Sequence, residues 1–324
     1  MIRSGYTKSL TTAALIVILG LFAKAHADTS SGMQFLKVGP STHSLAISQA
    51  HTAVYIGSSS IYSNPALLTN SVQTTGSASY TLWLGNTSNS HASVNIPREN
   101  DAFSIGLLSS VVGDIEQRDT PGPPVGTFDI NYISVAGAYA REAGPLSLGM
   151  TAMYLNEMLF NTSASGFAFS FGAATSFLND RISLGTTLLN LGEMQDLDTE
   201  PTPLPTTYKA GIKADFIQFS VTETDEIPVL ITLSSDFVQP IERIEVADAR
   251  EDLESLDDWY VTTGISAEIA EIITLRGGYR TGNTIRPYSL GGSITSGNFG
   301  FDYAFVPFET GFQRVHSIAL RYDF

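Results

Sequence analysis

The sequence predicts an all-β fold: a 14-stranded antiparallel transmembrane β-barrel preceded by a short helical or irregular plug-like segment. Three observations predict it. The chain opens on an export signal, small or polar residues alternate with apolar or aromatic ones from Gly76 to the end, and cysteine is absent.

The signal comes first. Arg3 and Lys8 give a positive start, Ala13 to Ala23 an apolar core, and Ala25-His26-Ala27 a small-x-small cleavage site. The core is too short to span a bilayer as a helix, so residues 1–27 are expected to be removed and the mature chain to begin at Asp28. No cysteine follows the core, which excludes a lipid-anchored variant of this route. The protein therefore travels to an oxidising compartment without the means to form a disulfide. A closed barrel has no need of one. The formal charge of −15, from 17 basic and 32 acidic residues, argues against nucleic acid, whose phosphates need a basic partner.

Residues 28–71 show no persistent alternation and read as small helices or turns at the periplasmic mouth or inside the lumen. Phe35, Leu36 and Val38 are apolar, Gly39 follows, and Asn64-Pro65-Ala66-Leu67-Leu68 combines a turn former with a proline near a first helical position. This segment is too short to bury a core of its own.

Residues 72–324 carry the barrel. Period-two alternation marks strands over Ser77 to Gly85, His91 to Ile96, Phe103 to Val112, Phe128 to Tyr139, Leu146 to Leu155, Ser165 to Phe177 and Ile182 to Leu191. It continues over Thr206 to Phe216, Val229 to Val238, Trp259 to Ile269, Ile272 to Tyr279, Tyr288 to Thr295, Phe299 to Phe308 and Val315 to Phe324. An even count returns both ends to the periplasmic side. In the last stretch His316, Ile318, Leu320, Tyr322 and Phe324 share the face assigned to lipid. Ser317, Ala319, Arg321 and Asp323 share the face assigned to the interior.

Alternate connections differ in length, and long extracellular loops with short periplasmic turns are the rule for such barrels. The expected outer loops include the Pro-rich Gly113 to Thr127 with Pro121, Pro123 and Pro124, and Asn156 to Ala164 with Asn161. They also include Gly192 to Pro205 with Asp196 and Asp198, and the acidic Gln239 to Asp258 with Glu242, Glu245, Glu251 and Asp252. Phe216 to Pro228 breaks the pattern by being long on the inner side. These outer residues are the candidate partner-binding positions. An acidic exposed loop also simply keeps a surface hydrated, and the same carboxylates could instead dock a protein or clamp calcium.

The opening Phe35-Leu36-Lys37-Val38-Gly39, then Ala50-His51-Thr52-Ala53-Val54 and Ile61-Tyr62-Ser63-Asn64-Pro65-Ala66-Leu67, resemble the PorV/PorQ family, relatives of FadL-type channels. Later matches are Asn190-Leu191-Gly192 with Leu204-Pro205, Leu275-Arg276-Gly277-Gly278-Tyr279 and Asp302-Tyr303-Ala304. The chain departs from the family at Ala46-Ile47-Ser48-Gln49, where glycines are usual, around Ile56-Gly57, at Ser63 and at Leu67. The resemblance implies a FadL-like outer-membrane barrel with an inward amino-terminal segment. It further implies an adaptor or shuttle-like role in type IX secretion, binding tail domains of secreted proteins or secretion-system proteins through the outer loops.

The alternative is passive transport of a hydrophobic small molecule past the plug, with Phe103, Phe128, Phe167, Phe169, Phe171 and Phe177 as pocket residues or, more simply, lipid-facing ones. Bilayer lipid is the other expected partner. No enzyme is expected: there is no His-Glu-x-x-His pattern, no phosphate loop and no cysteine nucleophile. His43, His51, His91 and His316 are scattered, and Arg276 with Asp302 reads as a luminal polar pair. No catalytic residue, metal ligand or cofactor is assigned.

Overall fold

The computed structural model describes residues 32–118, 122–160, 162–195, 202–220, 228–241, 259–282, 285–308 and 313–324. The expected signal lies outside them.

Fourteen strands form the wall. They are β1 (Thr75–Leu82), β2 (Thr87–Pro97), β3 (Asp101–Gln117), β4 (Gly126–Ala143), β5 (Leu146–Leu159), β6 (Thr162–Phe177) and β7 (Ile182–Met194). The circuit continues with β8 (Thr207–Ser220), β9 (Pro228–Pro240), β10 (Tyr260–Ile269), β11 (Ile273–Arg280), β12 (Tyr288–Ser296), β13 (Phe299–Val306) and β14 (Val315–Asp323). Each pairs antiparallel with the next, and β1 closes on β14 with Thr75 opposite Asp323. A two-residue bridge at Thr202–Pro203 adds to the rim of β7. Closure pairs the backbone without leaving an edge, the condition for crossing hydrocarbon with strands.

The two faces differ as period-two patterning requires. Outward residues such as Ile105, Phe167, Leu275 and Leu320 are exposed, whereas inward Asn95, Ser134, Thr151 and Ser317 are buried. Aromatic pairs collect at both rims: Phe299–Tyr322 and Phe103–Tyr139 at one end, Phe237–Trp259 and Tyr279–Tyr288 at the other. Such belts sit at headgroup level. An even-stranded closed barrel with an apolar exterior is a protein of the bacterial outer membrane. No helix among the described residues is long and apolar enough to cross a membrane. Ile105→Arg, on the lipid face, should cost ~2–4 kcal/mol of stability if the side chain sits near the midplane. Urea-dependent folding into lipid vesicles measures it, and an unchanged midpoint would remove Ile105 from the hydrocarbon.

Several strands outrun their hydrophobic pattern. The Pro-rich connection is shorter than expected because β3 continues to Gln117 and β4 begins at Gly126, with a bulge near Asp114 (φ 56°). Strands β5 and β6 likewise extend to Leu159 and from Thr162, which pair with each other, so only two residues separate strands expected to be joined by a longer loop. Above the bilayer a ladder keeps its hydrogen bonds while both faces turn polar, so alternation stops before the strand does. Strand β8 extends to Ser220, placing Phe219 opposite Val229, and Val221 lies outside the described residues.

Residues 32–71 run inside the ring. They comprise 3-10 turns at Gln34–Lys37, Gly57–Tyr62 and Pro65–Asn70 and one short helix, α1 (Thr42–Ala46). Ser41 caps α1 by accepting from the Ser44 amide, and Asn64 caps the last turn by accepting from Ala66 N, with Pro65 at its first position. Ile61 and Leu68 pack against inward Ala102, Ala136, Ala140, Met153 and Leu155. The apolar luminal residues therefore serve the segment rather than an open pore.

Candidate functional site

The segment is seated on cross-strand glycine pairs. Gly149 lies opposite Gly172, Gly185 opposite Gly211 and Gly264 opposite Gly278. At the first pair a Cβ would strike the Pro65 and Ala66 backbone or the Asn64 side chain; at the second, Thr52 and Asp236; at the third, Ile47 and Ser48. Only glycine leaves room for one backbone to lie against another here.

Polar contacts hold what the glycines admit. Asp236 is fully buried, and its Oδ2 accepts from both Thr52 N (2.8 Å) and Thr52 Oγ1 (2.7 Å). Asn64 Nδ2 donates to Thr52 O (2.7 Å) and Ala173 O (3.3 Å). Thr151 donates to Ile61 O, and Asn95 donates to Leu68 O. On the opposite side Ser289 contacts Ser48 and Ala46, and Thr42 contacts Ser317. The segment is thus tied around much of the circumference.

Above it, toward the long connections, a cavity of about 130 Å³ remains. Leu36, Val38 and Tyr62 of the segment and Leu189 and Tyr260 of the wall supply its apolar surface. Lys37, Lys209, Arg280 and Arg286 also line it, four of the chain's 17 basic residues. No Asp or Glu is among the described lining residues. Arg280 stacks on Tyr260, its guanidinium carbon 3.7 Å from the ring centroid, and Arg286 faces Trp83 at 5.4 Å. In the connection before β12, the Arg286 guanidinium is pushed down to about 10, first by burial and then by the charge of Arg280. His51 also lines it, with Pro40, Gln49, Asn190, Thr207 and Pro240; it is 2% exposed, and neither ring nitrogen has a hydrogen-bond partner.

The wall has the shape of a known class. No family model matches the chain, and no curated protein matches it. Among solved structures it is similar to the toluene transporter TbuX of Ralstonia pickettii, with 15% identity and a TM-score of 0.55 over 88% of this chain and 98% of that one. It is similar also to the toluene transporter TodX of Pseudomonas putida, with 11% identity and a TM-score of 0.54 over 92% and 98%. The barrel is FadL-like in fold. At such identities the likeness concerns the fold alone.

Within this FadL-like barrel the sequence-assigned residues separate into two groups. Phe35, Asn64 and Pro65 are buried in the lumen, with Leu36 and Gly39 half-buried beside them. Pro123 and Pro124 are exposed at the rim. Pro121, Asn161, Asp196, Asp198, Glu242, Glu245, Glu251 and Asp252 lie outside the described residues, so the suggested calcium clamp has no described geometry. Phe103, Phe167, Phe169 and Phe171 face outward, leaving the cavity to other residues. Arg276 and Asp302 do pair, Nη1 to Oδ1 at 3.2 Å, with Ser293 also accepting from Arg276. His316 faces outward and contacts the Tyr303 hydroxyl at 2.8 Å. Sequence reading missed the basic cluster because its members lie far apart in the chain. The usable signal was parity: Lys209 and Arg280 occupy inward positions of β8 and β11.

Proposed function

We propose that the chain is a non-enzymatic channel through which small, largely apolar organic molecules cross the outer membrane passively. The cavity between the amino-terminal segment and the loop-end wall carries this reading. It lies at the end where solutes would arrive, and the segment beneath it narrows the path to one that bulk solute cannot take. The fold shared with two toluene transporters supports the same reading. The type IX secretion role has no support from the comparisons.

The test is uptake in intact cells. Expression in a host with an outer membrane but no channel for single-ring solutes should raise entry of such a solute at least severalfold, followed by an intracellular reporter. Uptake equal to that of the empty host would defeat the channel reading. Cross-linking that captures secreted-protein tail domains at the outer loops would instead favour the adaptor.

A further inference from the structure

We infer that the mature amino terminus lies at the cell surface, with the luminal segment entering the ring from outside and leaving it at the periplasm. The inference is independent of what the channel carries. The even strand count returns both ends of the barrel itself to the periplasm. The position of the amino terminus is therefore decided by the segment before β1.

Orientation comes first. The connections between β4 and β5, β6 and β7, β10 and β11, and β12 and β13 are short turns, and they lie at the end where β1 begins and β14 finishes. Short turns mark the periplasmic end. Strand β7 rises from Ile182 at that end, so Met194 stands at the outer end.

Contacts with the wall trace the path of the segment. The Gly32 amide donates to Pro203 O at 3.0 Å, and Pro203 is paired with Glu193, beside the outer end of β7. Met33 and Phe35 are buried in one cluster with Met194 and Leu204, and Phe35 stacks on Tyr132 with ring centroids 5.4 Å apart. Farther down, Thr52 meets Asp236. At the bottom Leu68 O accepts from Asn95, which lies opposite Thr75, the first residue of β1. The segment thus descends the height of the ring in one pass.

Chain length excludes a return. With cleavage after Ala27, the four residues 28–31 precede Gly32 and reach at most about 14 Å. Strand β7 has 13 residues; at ~3.3 Å each and with the usual tilt, its periplasmic end is roughly 30 Å from its outer end. The lower turns of the segment fill the lumen between, where Ile61, Leu67 and Leu68 are at most 1% exposed. The amine of Asp28 therefore stays on the outer side.

The sequence holds no cysteine, so an introduced thiol is the sole target for a maleimide. Ser30→Cys, Val125→Cys and Val72→Cys are made in the full chain, exported in a host with an outer membrane, and treated with a maleimide carrying a polymer too bulky to cross it. Val125 is 64% exposed in the connection between β3 and β4 at the outer end, and Val72 is 96% exposed just before β1. Ser30→Cys and Val125→Cys are expected to label in unbroken cells at least about tenfold more than Val72→Cys, which should label only once the outer membrane is permeabilised. A peptide tag inserted after Asp28 should be bound by its antibody on unbroken cells. Intact mass should show a chain starting at Asp28, and heat-modifiable migration should show every variant folded.

Ser30→Cys labelled only after permeabilisation overturns the inference, as does the absence of both label and antibody from unbroken cells that hold the folded ring. A chain that keeps its signal overturns it as well. Label on Val72→Cys in unbroken cells, with Val125→Cys protected, would invert the barrel and place the amino terminus in the periplasm.

Discussion

Gly149→Val combined with Gly278→Val is expected to expel the amino-terminal segment from the lumen and raise single-channel conductance about tenfold while the wall stays folded. The added side chain at 149 would fall on the backbone of Pro65 and Ala66, and the one at 278 on the backbone of Ile47 and Ser48. In both places the obstacle is main chain inside a hydrogen-bonded turn, which cannot rotate aside as a flexible side chain could. Overpacking of this kind costs ~1–3 kcal/mol at each site, and well-separated sites add. Valine is itself favourable in a strand, so the cost falls on the docked segment rather than on the ladder. Planar-bilayer recordings and protease cutting within residues 32–71 report the two consequences, with heat-modifiable migration as the control for folding. Wild-type conductance and protection would show that these glycine pairs do not hold the segment in place.

Asp236→Leu should undock the same segment by removing its anchor instead of its space. Both Thr52 N and Thr52 Oγ1 donate to one Asp236 oxygen, and Thr52 is itself 1% exposed. Leucine leaves both donors buried without an acceptor, at ~1–3 kcal/mol apiece. A loss of about 3 kcal/mol enlarges the undocked population roughly a hundredfold. Hydrogen exchange at the Thr52 amide should quicken by that factor. Asp236→Asn retains a carbonyl acceptor and should produce a smaller effect. Equal exchange in wild type and Asp236→Leu would rule out this carboxylate as the anchor.

The wall was readable because its environment imposes a simple rule on every strand. Lipid outside and packed polar groups inside force residues two apart to share a face. All fourteen expected stretches therefore coincide with strands, and the assignment of Ile318 and Leu320 outward with Ser317 and Ala319 inward matches β14. Strand ends were less readable. At Gln117 and Leu159 the ladder continues where the apolar signal has faded.

The cavity was hidden for a different reason. Lys37, His51, Lys209 and Arg280 carry no local signature, and their convergence requires both barrel closure and the path of the amino-terminal segment. The pairing of Gly264 with Gly278 depends on cross-strand register, which neither residue's neighbourhood in the chain reveals.

The sequence by itself determined the barrel, its strand number and its inward and outward faces, because period-two patterning is local and lipid enforces it along the whole chain. Only the tertiary structure decided where the segment from 32 to 71 lies, which glycines face one another, and which cations share a cavity. Those features depend on contacts between distant residues, set by cross-strand register and ring closure, and no local pattern encodes such contacts.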